Sequence, residues 1–397
     1  MKKGFFRILF TALAAVVSVS IMAQGYEVNP IPVAAPVLTI APDARAGGMG
    51  DAGVATAPDV YSQHWNPSKY AFHTRGAGVA MSYTPWMRKV VDDVALMNVV
   101  GFWKPGDEDN QAISASLKYF KIGDVNIVND FLYPNPGGPG AISELTVSPY
   151  EMAFDVAYSR KLSNSFSMGV ALRYIRVDYA GFNEISSASN VIAADISGYL
   201  ERYLSIGASE SLLTFGANIS NITGAKISID EGNTKSFVPT NMKIGASLMY
   251  PVTEVSTFSF SLDMNKLLVP TPPMKKEGET VAEFDARYKK YLDKSAIGGI
   301  FSSFGDADSF SEELKEIMWS FGVEYDYDSK FKIRSGYFYE NKMKGNRQYL
   351  AFGAGFKFNM FQLDAAYMVG TRTNNPLDQT LRLSLAFDIP VSNRFDK

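Results

Sequence analysis

A strict alternation of apolar and polar residues, recurring from residue 77 onward, is the feature that most constrains how this chain can fold. A period of two residues indicates a β-strand with one apolar and one polar face. Most of the segments run ten to fourteen residues, longer than the ~5–6 residues usual in soluble sheets and long enough for a tilted strand to cross a bilayer. Fourteen segments follow the pattern, near 77–86, 93–103, 110–120, 149–160, 165–179, 189–202, 211–221, 239–250, 254–266, 316–328, 330–340, 347–359, 360–371 and 378–388.

The two faces of these strands differ as the wall of a membrane barrel requires. One face carries bulky apolar side chains, which we expect to meet lipid. The other face consists of Gly, Ala, Ser, Thr, Asn and Asp with scattered charges, a composition that suits an aqueous lumen. The expected lipid-facing set includes Phe154, Val156, Phe215, Leu383 and Leu385.

The connections between the segments sort by length. Every second connection is short, whereas the long ones, 121–148, 222–238 and 267–315, all fall on one side. Bacterial outer-membrane barrels have short periplasmic turns and longer extracellular loops, and a soluble β-protein has no reason to sort its loops in this way. The sequence therefore predicts an all-β fold, a 14-stranded antiparallel transmembrane β-barrel in the outer membrane of a Gram-negative bacterium, with a soluble β-protein as the alternative.

The first residues have the pattern of a secretory signal. Basic residues at Lys2 and Lys3 precede a charge-free apolar run from Ile8 to Met22, and Ala23 offers a small-residue cleavage site. An uncleaved membrane anchor is the alternative, although the run is short for a spanning helix. We expect a signal peptide over 1–23, an N-terminal segment over 24–76, a barrel over 77–388 and a short tail over 389–397.

The rest of the composition excludes several functions. The chain has no cysteine, two histidines and a net charge of −3, which disfavours disulfides, a zinc site and nucleic acid as a partner. A G-x-S-x-G nucleophile motif is absent. We expect His64 and His73 to be hydrogen-bonded plug or rim residues, with a pH switch as the alternative. Asp306-Ala307-Asp308-Ser309 begins like a calcium loop, but Phe310 occupies the fifth position. We therefore predict no catalytic residue, no bound metal and no cofactor.

Glycines crowd the segment ahead of the first strand. Gly48-Met49-Gly50-Asp51-Ala52-Gly53 matches the G-x-G-x-x-G of dinucleotide-binding loops, but Pro58 follows too soon for the helix that such a loop needs. Glycine permits tight turns, and the lumen of a fourteen-stranded barrel is too wide for its wall side chains to fill. We therefore expect this segment to fold into the lumen as a plug. The candidate plug residues are Arg45, Gly47, Gly48, Gly50, Asp51 and Gly53.

Two of the long loops carry apolar residues that could meet a partner. Loop 121–148 contains Phe131, Leu132 and Tyr133 ahead of a proline-rich stretch. Loop 267–315 contains two helix candidates, each begun by a capping box, Thr280 to Glu283 and Ser309 to Glu312. Their apolar stripes could pack on each other over the barrel mouth or form a docking surface, since exposed apolar patches mark interaction sites. The stripes are Val281, Phe284, Tyr288 and Leu292 in the first helix, and Phe310, Leu314 and Ile317 in the second.

The stretch "APDARAGGMGDAGVATAPDVYSQHWNPSKYAF" (41–72), followed by "SYTPWMR" (82–88), resembles the FadL-like barrel family and, within it, the PorV (LptO) branch of the Bacteroidetes type IX secretion system. In FadL-like barrels an N-terminal hatch with an Asn-Pro turn plugs the lumen. The resemblance thereby adds Trp65, Asn66 and Pro67 to the candidate plug residues. The likeness of the strand plan extends over roughly residues 30–390, without the extracellular loops.

The resemblance also implies a function. PorV-like proteins are not catalysts; they bind the C-terminal signal domain of secreted cargo as it leaves the SprA-type translocon. They deliver the cargo to a surface sortase complex with a PorU-like peptidase, where it is attached to lipopolysaccharide. The expected partners are thus the SprA-type translocon, the C-terminal signal domains of the cargo, the sortase complex and the lipid of the outer membrane. A FadL-type transporter of hydrophobic small molecules is the alternative, and a general porin is disfavoured by the plug.

Overall fold

The computed structural model describes residues 28–86, 93–106, 110–129, 143–179, 188–207, 209–228, 235–306, 310–372 and 377–389. The expected signal peptide and Phe131, Leu132 and Tyr133 lie outside these residues, as do residues 390–397. The strands are β1 Ala77–Pro85, β2 Ala95–Trp103, β3 Gln111–Lys121, β4 Val125–Asn129, β5 Ser143–Val147, β6 Tyr150–Lys161, β7 Phe166–Asp178, β8 Ser189–Ile206, β9 Ser209–Ile222, β10 Lys226–Ser228, β11 Lys235–Phe237, β12 Asn241–Thr253, β13 Ser256–Leu267, β14 Ile317–Tyr327, β15 Phe331–Tyr339, β16 Gln348–Phe358, β17 Phe361–Gly370 and β18 Leu381–Ile389.

Fourteen of these strands form a closed antiparallel barrel. Each barrel strand pairs with its neighbours along the chain, and β1 closes the sheet against β18, with Ala77 opposite Ile389. Closure leaves no unpaired strand edge, which a bilayer requires because its interior offers backbone groups no water. The predicted fold class is confirmed, and the fourteen predicted segments match the barrel strands to within about four residues at each end.

Alternation along the strands separates the two faces as the sequence predicts. On β18 the side chain of Leu383 is 41% exposed on the outer surface, whereas that of its neighbour Ser384 is 2% exposed and faces the lumen. Phe154, Val156 and Phe215 are also exposed, and Leu385 is half-buried on the same face as Leu383. The outer surface is therefore an apolar band, and the inner surface is largely covered by the N-terminal segment.

The long connections contain ordered structure that period-two reasoning does not detect. Strands β4 and β5 form a hairpin within loop 121–148, and β10 and β11 form another within loop 222–238. Loop 267–315 holds three helices, Val281–Leu292, Ala296–Ser302 and Phe310–Lys315. The middle helix was not predicted, and the predicted stripe of the last one is wrong at Ile317, which begins β14. In the described part of the chain, none of the helices has the length and apolar character to cross a membrane.

Residues 28–76 run from the extracellular end of the barrel to its periplasmic end. Near the start of this path, the Asn29 amide donates to the Met343 carbonyl (2.7 Å) and the Ala34 amide donates to the Phe237 carbonyl (2.8 Å). Near its end, the ammonium of Lys104 donates to the His73 carbonyl (2.7 Å) beside the start of β1. Short helical turns shape the path at Pro36–Thr39, Ala44–Gly47, Ser62–Trp65 and Pro67–Phe72.

Candidate functional site

Glycines allow the backbone of residues 48–54 to lie directly on the barrel wall. Gly50 has φ +67°, and a Cβ there would stand 2.6 Å from the Tyr337 amide nitrogen. At Gly53 a Cβ would stand 2.4 Å from the ring of Trp65. Any other residue at either position would collide with its neighbours. The formal nucleotide motif is thus a pair of close-packed turns inside the lumen.

The wall contributes glycines of its own at the same level. A Cβ at Gly216 on β9 would lie 2.1 Å from the Val54 carbonyl oxygen, and a Cβ at Gly336 on β15 would lie 2.0 Å from the Met49 carbonyl carbon. Gly322 on β14 and Gly353 on β16 also lie against residues 48–50. On these four strands no side chain separates residues 48–54 from the wall, so their backbone lies directly against it.

Charged groups join the plug to the wall on several sides. The Arg45 guanidinium lies 2.5 Å from the carboxylate of Asp59 and 3.4 Å from that of Glu324 on β14. The Asp51 carboxylate lies 2.5 Å from Arg382 on β18, the residue against which a Cβ at Gly47 would also collide (2.6 Å). Removing one partner of such a buried pair is strongly destabilising because it leaves the other charge uncompensated. The pairs of Arg45 with Glu324 and of Asp51 with Arg382 thus tie the N-terminal segment to β14 and β18.

The segment Trp65-Asn66-Pro67 is built as a hydrogen-bonded corner. The Asn66 side chain caps the turn that begins at Pro67 by accepting from the Ser68 amide (3.1 Å). Its Nδ2 donates to the carbonyls of Val54 (3.0 Å) and Gly198 (2.9 Å) and so ties the plug to β8. The indole of Trp65 donates to the carboxylate of Asp43 (2.7 Å). The corner therefore joins Asp43 and Val54 of the N-terminal segment and ties both to β8.

The extracellular part of the lumen is more apolar than the sequence suggests. Buried Leu96, Phe120, Ile175 and Phe338 belong to a cluster that packs on the turn Pro36–Thr39. Below the mouth remains a cavity of about 250 Å³ that combines apolar residues such as Trp86, Met318 and Phe338 with charged ones such as Lys243 and Arg382. The expectation of a lumen face made of small polar residues is thus wrong at this end of the barrel.

Loop 267–315 is fixed to the barrel rim by a buried carboxylate. Glu316 accepts from the ammonium groups of Lys266 (2.6 Å) and Lys344 (3.0 Å) and from the Thr271 hydroxyl (2.5 Å). Burial raises the pKa of Glu316, but these three donors outweigh it and hold that pKa below its usual value. Glu316, Asp306 and Glu313 have carboxylate oxygens within 4.8 Å of one another. Lys266 and Lys344 offset two of these three negative charges, and Asp306 accepts from the Thr271 amide (2.8 Å).

Local hydrogen bonds anchor the N-terminal end of the first helix of the loop. Thr280 and Glu283 form the predicted capping box, and the carboxylate of Glu279 accepts from Arg287 (2.6 Å) and from the Lys276 amide (2.9 Å). Hydrogen bonds from the Arg287 side chain and the Lys276 backbone lower the pKa of Glu279 to about 2. The helix Val281–Leu292 is thus held by local contacts at its N-terminal end.

At its C-terminal end the same helix packs on the β10–β11 hairpin. The ring of Tyr291 lies 6.0 Å from that of Phe237, and the ammonium of Lys226 donates to the Leu292 carbonyl (2.8 Å). Phe237 also receives the hydrogen bond from Ala34, which enters the lumen beneath it. The C-terminal end of the helix is therefore fixed to the hairpin that also binds Ala34 of the N-terminal segment.

The predicted apolar stripes of this loop are only partly covered. Phe284 and Leu292 are half-buried, and Tyr288 is exposed. In the last helix Phe310 is 78% exposed and Leu314 is exposed as well. Sequence reasoning missed Phe301 (75% exposed) and Phe304. Phe301 lies in the helix Ala296–Ser302, which was not predicted because its Gly298-Gly299 pair has low helix propensity. The extracellular surface of the loop thus presents several large apolar side chains to solvent.

Two solved structures share the general plan of this chain at low sequence identity. The toluene transporter TodX of Pseudomonas putida is 12% identical, with a TM-score of 0.47 over 91% of this chain and 98% of that chain. A FadL homologue of Pseudomonas aeruginosa is 13% identical, with a TM-score of 0.40 over 91% of this chain and 99% of that chain. No curated protein matches the sequence.

The sequence of this chain also matches a protein-family model. The model of the type IX secretion system protein PorV matches residues 23–274, which is more than half of the chain. The match spans the plug, the barrel strands from β1 to β13 and the start of loop 267–315. The chain therefore belongs to the PorV family of the type IX secretion system, and its barrel lies in the bacterial outer membrane.

Proposed function

We propose that this protein is a non-catalytic adaptor that binds the C-terminal signal domain of secreted cargo at a SprA-type translocon. It then delivers the cargo to a sortase complex with a PorU-like peptidase, where the cargo is attached to lipopolysaccharide. The observation that carries this proposal is the exposed apolar surface of loop 267–315, represented by Phe301, Phe310 and Leu314. Large exposed apolar patches mark protein interaction sites.

The contacts that hold the N-terminal segment inside the barrel support an adaptor over a channel. Residues 48–54 contact wall glycines on several strands, and the buried pairs of Arg45 and Asp51 hold them in place. A ligand passing through would have to break these contacts together. The extracellular loops, by contrast, offer a surface that a folded cargo domain can reach without entering the barrel.

Transport of hydrophobic small molecules remains the second candidate because of the cavity below the mouth. Its volume of about 250 Å³ is slightly below the ~300–1,000 Å³ of typical ligand sites. A small amphipathic molecule would find apolar contacts at Trp86 and Phe338 and a cation at Lys243. Mass spectrometry of the detergent-purified barrel tests this reading: a stoichiometric fatty acid without any protein partner would favour it.

Co-purification from solubilised outer membrane tests the adaptor directly. We expect secreted proteins and a very large translocon subunit to co-purify with the wild-type barrel. The variant Phe310→Ser/Leu314→Ser should lose them. The matched control, Val252→Ser/Val255→Ser, removes two exposed apolar residues at the opposite, periplasmic end and should retain them. Equal recovery of partners from both variants would contradict the assignment of the surface.

A further inference from the structure

An open groove lies within the extracellular loop, beside the exposed phenylalanines. Its walls are formed by residues 271–277 on one side and by the helices Val281–Leu292 and Ala296–Ser302 on the other. The groove has a volume of about 1,080 Å³, which exceeds the ~300–1,000 Å³ usual for small-molecule sites. A groove of this size that is open to solvent suits a length of polypeptide better than a compact metabolite.

The lining of the groove is positively charged. Six cationic side chains line it against three carboxylates, a formal charge of +3. One of the cations, Arg287, is already paired with the Glu279 carboxylate (2.6 Å), which lowers the balance to +2. Two of the carboxylates already bind groups of this chain: Asp306 accepts from the Thr271 amide (2.8 Å), and Glu312 pairs with Lys344 (3.2 Å). The cations are Lys275, Lys276, Arg287, Lys290, Lys294 and Lys315.

Apolar side chains lie between these charges. Phe301 and Phe304 are exposed at the edge of the groove, Met274 is half-buried in its wall, and Tyr291 is buried beneath it. A partner that fills the groove would need bulky apolar groups for these contacts and carboxylates for the lysines. Such a partner is recognised by both burial of apolar area and charge complementarity.

The position of the groove favours a protein over a lipid. Asn29, at the start of the path into the lumen, lines the groove and donates from Nδ2 to the Pro272 carbonyl (3.1 Å). Tyr291 packs on Phe237 of the hairpin at the mouth. The groove therefore lies over the barrel opening, away from the outer surface that contacts lipid.

We propose that this groove binds an extended acidic peptide segment that carries bulky apolar side chains, supplied by the secreted partner. The inference rests on the proposed adaptor function and names the chemistry by which the loop recognises its cargo. Lys275 and Lys290 at the rim attract the carboxylates, and Phe301 and Phe304 contact the apolar side chains. Because the rim charges are exposed to solvent, binding depends on ionic strength.

Fluorescence anisotropy with the full-length barrel in detergent tests the groove. The probe is a short labelled synthetic peptide in which aspartate and phenylalanine alternate; a second peptide has asparagine in place of each aspartate. We expect the acidic peptide to bind, and to bind at least about tenfold more weakly to Lys275→Glu/Lys290→Glu. Phe301→Ser/Phe304→Ser should weaken binding as well. Lys330→Glu, a charge reversal at an exposed periplasmic turn, is the matched control and should bind like wild type.

Several outcomes would overturn the inference. The inference is wrong if the two peptides bind equally, or if Lys275→Glu/Lys290→Glu leaves the affinity for the acidic peptide unchanged. It is also wrong if these reversals reduce only the binding of vesicles that contain anionic lipid. The heat-dependent mobility of each variant in gels verifies that the barrel is folded. If the peptide does not bind while translocon and cargo co-purify, the groove assignment fails and the adaptor function stands. If the peptide binds but no secretion partner co-purifies, the adaptor function fails and the groove chemistry stands.

Discussion

The carboxylate of Asp51 lies 2.5 Å from the guanidinium of Arg382, and this pair joins the segment inside the lumen to the last strand of the barrel. The Tyr349 hydroxyl donates to the same carboxylate (2.5 Å). Asp51 adopts a left-handed conformation with φ 63°, so the turn that Gly50 permits is what directs its side chain toward β16 and β18. Plug and wall are thus coupled by groups far apart in sequence.

We expect Asp51→Asn to loosen the plug without unfolding the barrel. Removing one partner of a buried pair leaves the other charge uncompensated, which costs about 3–5 kcal/mol. The chain has no cysteine, so Ala52→Cys provides a single thiol at a position that is fully buried in the seated plug. Maleimide should label this thiol much faster in the Asp51→Asn background. Adding Arg382→Met should partly restore protection, and equal labelling rates in all backgrounds would refute the coupling.

A second prediction concerns the wall glycines. Gly336→Val places side-chain atoms where the Met49 backbone now lies, so we expect the plug to leave this position while the strand pairs remain. The control is Gly198→Ala, at which a Cβ meets only ordinary contacts near 3.5 Å. Outer-membrane permeability to a large antibiotic reports the difference: it should rise with Gly336→Val and stay low with Gly198→Ala. Low permeability in both strains would show that the plug tolerates displacement here.

The lipid-facing surface gives a third prediction. Leu383 is the third residue of β18 and is exposed on the outer face. If it lies near the bilayer midplane, Leu383→Arg should lower the free energy of unfolding by about 2–4 kcal/mol. Leu383→Phe keeps an apolar side chain there and should change it by less than about 1 kcal/mol. Denaturant unfolding in vesicles measures both. Similar stabilities for the two variants would place Leu383 away from the hydrocarbon region.

The capping box of the loop helix gives a fourth prediction. Thr280→Ala removes the hydroxyl that accepts from the Glu283 amide (3.3 Å), and loss of such a cap costs about 0.5–2 kcal/mol. Amide hydrogen exchange should then accelerate in residues 281–292 and stay unchanged in the barrel strands. Thr280→Ser keeps the cap and should exchange like wild type. Unchanged exchange in Thr280→Ala would mean that packing on Phe237 alone orders the helix.

The sequence predicted the features that depend on local pattern. Alternation placed Leu383 outside and Ser384 inside because a strand within a bilayer must sort its side chains by polarity. The capping box at Thr280 and Glu283 was predicted because both members lie within one turn. The glycines of residues 47–53 indicate tight turns because glycine alone adopts such backbone conformations without strain.

Features that depend on distant contacts were not predictable in the same way. The course of residues 28–40 over the mouth is set by hydrogen bonds such as that from Ala34 to Phe237, which no local pattern encodes. The helix Ala296–Ser302 was missed because its Gly298-Gly299 pair has low helix propensity. The apolar cluster around Phe120 and Phe338 was missed because the alternation rule does not distinguish the extracellular end of the lumen from its middle.

Replacement of residues 272–312 by a short Gly/Ser linker tests the central claim most directly. The exchange keeps Thr271 and the Glu316 carboxylate bound to Lys266 and Lys344, so the rim of the barrel should remain intact. The measurement is the fraction of secreted cargo that reaches the cell surface, with heat-dependent gel mobility as the control for folding. An adaptor that works through this loop predicts a folded barrel with cargo lost from the surface. Normal surface delivery by the folded replacement would contradict the account and make the loop a passive cover.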